Sequence, residues 1–208
     1  MLDFDRPADQ LAPLLLGGFL RKAGVVVRLT EVEAYLGEDD PASHAFRGNH
    51  GRAAVMFGPS GRMYVYVSYG IHRAGNIVCS PAGQASAVLL RAGEIVDGLA
   101  VARARRAFPA GRPDALLAKG PGNLGRALGL DLADNGAVLG TGADEFEFTE
   151  SRPAASVLAG ERIGISRAVG EQLRFWLPGE PTVSARKTGS AFVPRSSAAA
   201  LQPGSAAG

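Results

Sequence analysis

Over residues 41–93 the chain has no aspartate or glutamate, although charged residues make up 20% of its 208 positions. Cysteine is almost absent too. The lone Cys79 excludes an intrachain disulfide, fits a reducing compartment, and sits in the apolar run Asn76-Ile77-Val78-Cys79, where it reads as a small buried hydrophobe. Long hydrophobic runs are missing: the apolar stretch over 11–20 is interrupted by Pro13, Gly17 and Gly18, too short and too broken to cross a bilayer. The start, Met1-Leu2-Asp3-Phe4-Asp5, is acidic where a secretory signal would be basic, so a cytoplasmic protein is expected. Lysine is scarce as well. Lys22, Lys119 and Lys187 all lie far in sequence from the segment discussed next, which argues against Schiff-base chemistry.

What is present is concentrated. All four tyrosines and all three histidines fall between residues 35 and 72. The acid-free stretch also holds Arg47, Arg52, Arg62, Arg73 and Arg91, so it carries +5 while the whole chain carries only +2. A cationic face on a nearly neutral protein is the footprint of a polyanion. Flat rings, positive charge and a carboxylate at the edge of the zone suit holding a nucleic-acid base between rings while the carboxylate acts on the bond beside it.

Residues 7–16 read as a short helix stopped by Gly17-Gly18, and the β-branched run 25–35 as a strand. Residues 36–62 read as loop with one helical turn near 41–45. Strands are expected over 63–69, 76–80 and 85–92, with a six-residue hairpin connection at 70–75. A helix is expected over 94–106, short helices over 113–119 and 121–128, and closing strands over 161–165 and 172–177. Because strands and helices do not alternate, the expected class is α+β: a single mixed domain around a mainly antiparallel sheet. That domain spans residues 1–186, and 187–208 is a disordered tail rich in Ser, Ala, Gly and Pro.

Three familiar patterns fail on context. Gly120-Pro-Gly-Asn-Leu-Gly125 spells a dinucleotide fingerprint but follows a helix-like run, so it is a glycine turn opening a helix, whose free amides could meet a phosphate or serve only the turn. His44, His50, His72 and Cys79 have no metal-ligand spacing. Gly58-Pro-Ser60-Gly61 lacks the pattern of a nucleophile elbow. More telling is the strand at 25–35, where alternation puts Glu31, Glu33 and Tyr35 on one face. Glu33 is the candidate base, with Glu31 its rival. Tyr64 and Tyr66 share a face, which leaves Tyr69 at the hairpin lip beside Arg73, where a wedge into a duplex would sit.

Leu29-Thr-Glu-Val-Glu-Ala-Tyr-Leu-Gly37, Ser43-His-Ala-Phe-Arg-Gly48, Met56-Phe-Gly58, Tyr64-Val-Tyr-x-x-Tyr-Gly70, Asn76 and Val88-Leu-Leu-Arg-Ala92 follow in an order that resembles the alkyladenine (3-methyladenine) DNA glycosylase family, bacterial type. Residues 4–17, Gly120-Pro-Gly122 and Arg162-Ile-Gly164 match too. The resemblance implies a single mixed domain around a curved antiparallel sheet with a protruding DNA-binding hairpin, no metal or cofactor, and a monomer acting on double-stranded DNA that contains damaged purines. It implies catalytic roles for Glu33, the base that activates water, and Arg91, which helps hold that water. Tyr35 and His44 would flank one side of a flipped base and Tyr66 the other, with Asn76 crowding the amine of normal guanine. Tyr69 would fill the gap in the duplex, with Ile71, Arg73, Arg52 and Gly122 as further DNA contacts. Three departures stand out: Ala53 follows Arg52 where Asn is usual, Ile71-His72-Arg73-Ala74 replaces a more hydrophobic run, and Asn123 replaces a common Lys. A non-catalytic damaged-DNA module, or an RNA-binding domain, would keep the rings and arginines without base release.

Overall fold

The computed structural model describes residues 2–140, 146–185 and 189–192. At its centre is β2 (Val25–Tyr35), a β-branched run that forms the strand its composition predicts. Nine of its eleven residues are buried, so both of its faces are covered. One edge of β2 pairs antiparallel with β5 (Ser86–Asp97). The other edge is shared: β1 (Phe19–Lys22) takes the first half of the strand and β9 (Arg174–Trp176) the second.

From β5 the sheet continues to β4 (His72–Cys79) and β3 (Arg62–Ser68). From β1 it continues to β7 (Phe146–Thr149) and then β6 (Leu139–Gly140), the one parallel pairing among the described residues. From β9 it runs to β8 (Leu158–Gly160) and β10 (Ser190–Ala191). Leu139 N–H donates to the Gly61 carbonyl at 2.8 Å and Met63 N–H to Ala137 at 2.8 Å, so the β6 end returns to the β3 edge and the mixed sheet bends almost to closure.

The sheet's core packs on two helices. On α1 (Ala8–Leu15), Ala8, Leu11, Ala12 and Leu15 fall at helical spacing and are fully buried. Each buried leucine contributes about 1.5–3 kcal/mol, so Leu11→Ala is a change that would loosen this corner. On α3 (Pro121–Leu128), Leu124, Ala127 and Leu128 are buried. At Gly125 a Cβ would stand 2.0 Å from the Arg73 carbonyl oxygen, so only glycine lets α3 lie against β4. A third helix, α2 (Leu99–Arg105), packs beside α3.

Several local expectations change. Residues 94–97 continue β5 instead of starting a helix, because Glu94 pairs across the sheet with Arg28 at 2.8 Å and Asp97 opposes Val26. Left-handed Gly98 (φ 73°) then breaks the strand before α2 begins. Strand 161–165 is absent; β8 lies just before it, and residues 161–165 turn back so that the Ile163 amide meets Glu33. The helical turns of the long loop fall at Gly37–Asp39 and Gly51–Phe57 rather than 41–45. The short strands β1 and β7 gave too little periodicity to be read. In the hairpin, Ser68 pairs with His72, so only Tyr69, Gly70 and Ile71 connect β3 to β4, not residues 70–75. Tyr69 and Gly70 make that reversal in left-handed conformations, φ 48° and 73°. Of the expected tail, Ser190 and Ala191 pair with β8 and Phe192 packs edge-on to Phe175, so apolar burial extends past residue 187. Residues 187–188 and 193–208 lie outside the described residues.

Candidate active site

Strand β2 delivers Glu31 and Glu33 to the same face, and both are fully buried. Glu31 is held by three donors: Arg91 Nε at 3.2 Å, Arg174 Nη1 at 3.0 Å and the Ser184 amide at 2.8 Å. Burial pushes its acidity toward the neutral form, but Arg91, the Ser184 amide and Arg174 outweigh burial and hold the carboxyl below its ordinary range. It is an ionised anchor.

Glu33 sits one strand repeat farther on, in a different balance. Its Oε1 accepts the Ile163 amide at 2.7 Å and faces Arg91 Nη1 at 3.2 Å, while Oε2 accepts the Tyr35 hydroxyl at 2.9 Å. Here burial outweighs the opposing pull of Arg91, Ile163 and Tyr35, and the charge of Glu31 adds to it, so the carboxyl titrates above its ordinary range. A carboxylate with a raised pKa is a better proton acceptor than a free one. Its two oxygens offer about four lone-pair positions, of which three are taken, leaving one acceptor position open.

Tyr35 stands between Glu33 and open space. Arg162 lies under its ring, 4.7 Å from the centroid, fixed by Asp40 and by a bond to the Ala34 carbonyl at 3.0 Å. Burial and the neighbouring Glu33 raise the pKa of the phenol, so its hydroxyl stays a donor. Lining the same cavity is a wall of rings. His44 meets Tyr66 edge-on at 4.6 Å and Tyr64 at 6.0 Å, and Tyr64 and Tyr66 lie 5.3 Å apart. Asn76 is buried in the wall, its Nδ2 donating to the Tyr64 carbonyl at 3.0 Å.

His44 has a defined tautomer. Arg52 Nη2 donates to His44 Nε2 at 3.2 Å, so the ring proton is on Nδ1 and points at the Tyr64 oxygen, 2.8 Å away. Burial first, and the Arg52 charge second, push its pKa down to about 4. The imidazole is neutral at physiological pH.

These groups enclose an open cavity of about 500 Å³ lined by Tyr35, His44, Tyr66 and Asn76, large enough for a purine. Glu33 and Arg91 are not in its lining; they lie directly behind Tyr35. Arg52, Arg47 and Arg167 line the same cavity with no acid among them, and Tyr69 stands at its edge, 82% exposed. Six of the residues singled out in the sequence, Glu33, Arg91, Tyr35, His44, Tyr66 and Asn76, therefore come together. Arg52 joins them as the neighbour of His44, its guanidinium 5.5 Å from the Tyr66 ring.

The remaining candidates lie elsewhere. Ile71, exposed at the hairpin tip, and Arg73 border a separate hollow of about 400 Å³ with Gly122. A Cβ at Gly122 would lie 2.7 Å from the His72 ring, so its smallness serves packing against the hairpin. The Ile163 amide, Arg174 and the Ser184 amide carried no readable signal, because two are main-chain groups and the third acts across about 140 residues of sequence. Arg162 lay in a matched segment, but nothing in the sequence placed it under Tyr35. Among the described residues no cluster of three or more His, Cys, Asp or Glu could hold a metal, and no helix is long and apolar enough to cross a membrane.

Comparison with known proteins bears on the whole of this arrangement. The family model described as methylpurine-DNA glycosylase (MPG) matches residues 2–181. A protein of Corynebacterium jeikeium is 54% identical over 194 residues, covering 88% of this chain and 90% of its own length. One from Corynebacterium glutamicum is 53% identical over 187 residues, covering 89% and 96%. A third, from Cutibacterium acnes, is 50% identical over 194 residues, covering 90% and 100%. All three are named "Putative 3-methyladenine DNA glycosylase".

Proposed function

Since this chain belongs to the methylpurine-DNA glycosylase family, we propose that it hydrolyses the N-glycosidic bond of alkylated or deaminated purines flipped out of duplex DNA. The lesion class is 3-methyladenine, 7-methylguanine, hypoxanthine and ethenoadenine, and the product is an abasic site. One observation carries this reading: a buried carboxylate of raised pKa, Glu33, with one free lone-pair position, directly behind a ring-lined cavity of purine size.

In the proposed reaction the base enters between Tyr66 on one side and Tyr35 and His44 on the other, where stacking contributes about 1–3 kcal/mol per base. Damaged purines pair weakly and cost less to extrude, which supplies part of the selectivity. Asn76, fixed by the Tyr64 carbonyl, crowds the exocyclic amine of guanine. Water bound at Glu33 attacks C1′ and gives its proton to the carboxylate. The bond from C1′ to the purine nitrogen breaks, and its electron pair leaves with the base. A cationic alkylated purine departs neutral. Arg91 pulls Glu33 toward its ionised form against its burial, and the carboxylate's negative charge steadies the oxocarbenium-like sugar.

No imine step is expected from the lysines among the described residues. Lys22 is paired with Asp134 in the core and Lys119 donates to the Pro181 carbonyl, so neither is offered to the cavity. Tyr69 occupies the gap left in the duplex, and the protein acts as a cytoplasmic monomer.

The test is Glu33→Gln on duplexes carrying each lesion. Base release should fall by about 10²–10⁴-fold, the usual worth of a general base, while binding to lesion DNA holds within a few-fold. Release of hypoxanthine at the wild-type rate would remove Glu33 from the mechanism, and absence of release from the wild type on every lesion would leave a binding module.

A further inference from the structure

Residues 98–128 form a second zone with almost no acid. Arg103, Arg105, Arg106, Arg112, Lys119 and Arg126 stand against Asp114 alone. The fold draws three of these charges onto one ring: the guanidiniums of Arg103, Arg106 and Arg112 lie 5.5, 5.8 and 5.5 Å from the centroid of Phe108.

Main-chain oxygens hold the cluster in place. Arg103 donates to the Arg112 carbonyl at 3.2 Å, Arg106 to Leu117 at 3.0 Å, and Arg126 to Arg105 at 3.0 Å. Carbonyls fix direction but do not neutralise charge. One carboxylate does: Asp114 pairs with Arg103 at 2.5 Å. Burial makes Arg106 easier to deprotonate, and the nearby like charges of Arg126 and Arg112 add to it. For the isolated fold this crowding is a cost. With a polyanion bound it becomes an attraction.

Position ties the cluster to the hairpin. Arg126 also lines the hollow of about 400 Å³ that holds Ile71, His72 and Arg73. In that hollow Arg73 Nε is shielded from solvent with no hydrogen-bond partner, and Asp131, the one acid there, stays 3.9 Å away. The arginines thus run from the hairpin to α2 without a break in sign apart from Asp131 and Asp114.

We propose that the arginine cluster around Phe108, joined through Arg126 to the hollow beside the hairpin, is a second phosphate-gripping surface that holds duplex DNA away from the flipped nucleotide. The proposal rests on the DNA reading above but not on base release. Its chemistry is ionic and indifferent to base sequence, since guanidiniums gathered over one ring would meet phosphates rather than base edges. A surface of this kind retains the protein on undamaged duplex between lesions.

Undamaged duplexes of about one and about three helical turns provide the test, with affinity measured against salt concentration. The wild type should show a steeper salt slope on the longer duplex. Arg103→Gln with Arg112→Gln should lower that slope by about one unit per arginine and leave the slope on the short duplex unchanged. Exposed Arg112 is also replaced alone, so that a folding defect in the double variant leaves a readout. Equal wild-type slopes on the two lengths, or a fall in melting temperature with no change of slope, would overturn the proposal by making the cluster structural. Preferential rescue of the variant's loss on single-stranded RNA would also overturn it, by assigning the surface to RNA. Base release on a short lesion duplex is scored separately, so failure there counts against the catalytic reading alone.

Discussion

Glu31 and Glu33 lie two residues apart on one face of β2, both without solvent exposure, yet their acidities move in opposite directions. Arg91 bridges them, 3.2 Å from each. Glu31 has in addition Arg174 and the Ser184 amide, whereas Glu33 has only neutral donors besides Arg91. One carboxylate is thereby committed to holding the arginine, and the other remains available for proton transfer.

The pH profile should carry this asymmetry. The base works ionised and its pKa is raised, so base release should climb with pH along a limb lying above the ordinary glutamate value of about 4.3. Arg91→Gln removes the largest influence that lowers that pKa and should move the limb farther up. Single-turnover rates from pH 4 to 8 measure both; an unmoved limb would detach Arg91 from Glu33.

Glu31→Gln should damage the fold more than the chemistry. It leaves Arg91 and Arg174 buried with one charge fewer, a loss of about 3–5 kcal/mol for a broken buried pair. Because the folded-state pKa of Glu31 is depressed, its contribution is present above about pH 4.3 and is lost as pH falls through the folded value. Urea melts at several pH values should show this acid-side loss in the wild type and not in the variant.

Tyr69 holds a left-handed backbone, φ 48°, with its ring exposed at the hairpin tip. Such a conformation costs a non-glycine residue about 1–2 kcal/mol, which is tolerated where the ring has a use outside the fold. Tyr69→Gly should therefore leave the melting temperature unchanged or raised. Base release from duplex should fall much more than non-specific DNA binding does. A matched loss of both would argue against a wedge.

His44 should show no titration between pH 5 and 8, since its pKa is pushed down to about 4. Arg52→Gln removes the charge at Nε2 and should raise that pKa toward 6.5, an effect visible in the histidine ring signals by NMR. Were His44 to titrate normally in the wild type, the tautomer fixed by Arg52 and Tyr64 would be wrong.

Much of this was legible in the chain. The period-two alternation of residues 25–35 put Glu31, Glu33 and Tyr35 on one face, and the structure keeps them there because strand geometry is local. The run 121–128 became α3 as its glycine and proline punctuation required. The ordered set of short motifs pointed to the family that the comparisons show. Local signals gave the α+β class and the tyrosine at the turn.

The sequence by itself determined which residue types were present and which shared an element; it made Glu33 the candidate base but gave no physical reason why Glu31, on the same face, should behave differently. Tertiary structure separated them. It brought Arg174 and Ser184 to one carboxylate and the Ile163 amide to the other, from as far as 153 positions away. It also turned residues 94–97 into strand through the Arg28–Glu94 pairing, gathered three arginines on Phe108, and set His44 against Arg52. The physical reason is common to all of these. Propensity and periodicity act over a few residues, while desolvation and charge pairing depend on which distant groups share a buried volume, and that is decided only when the sheet closes.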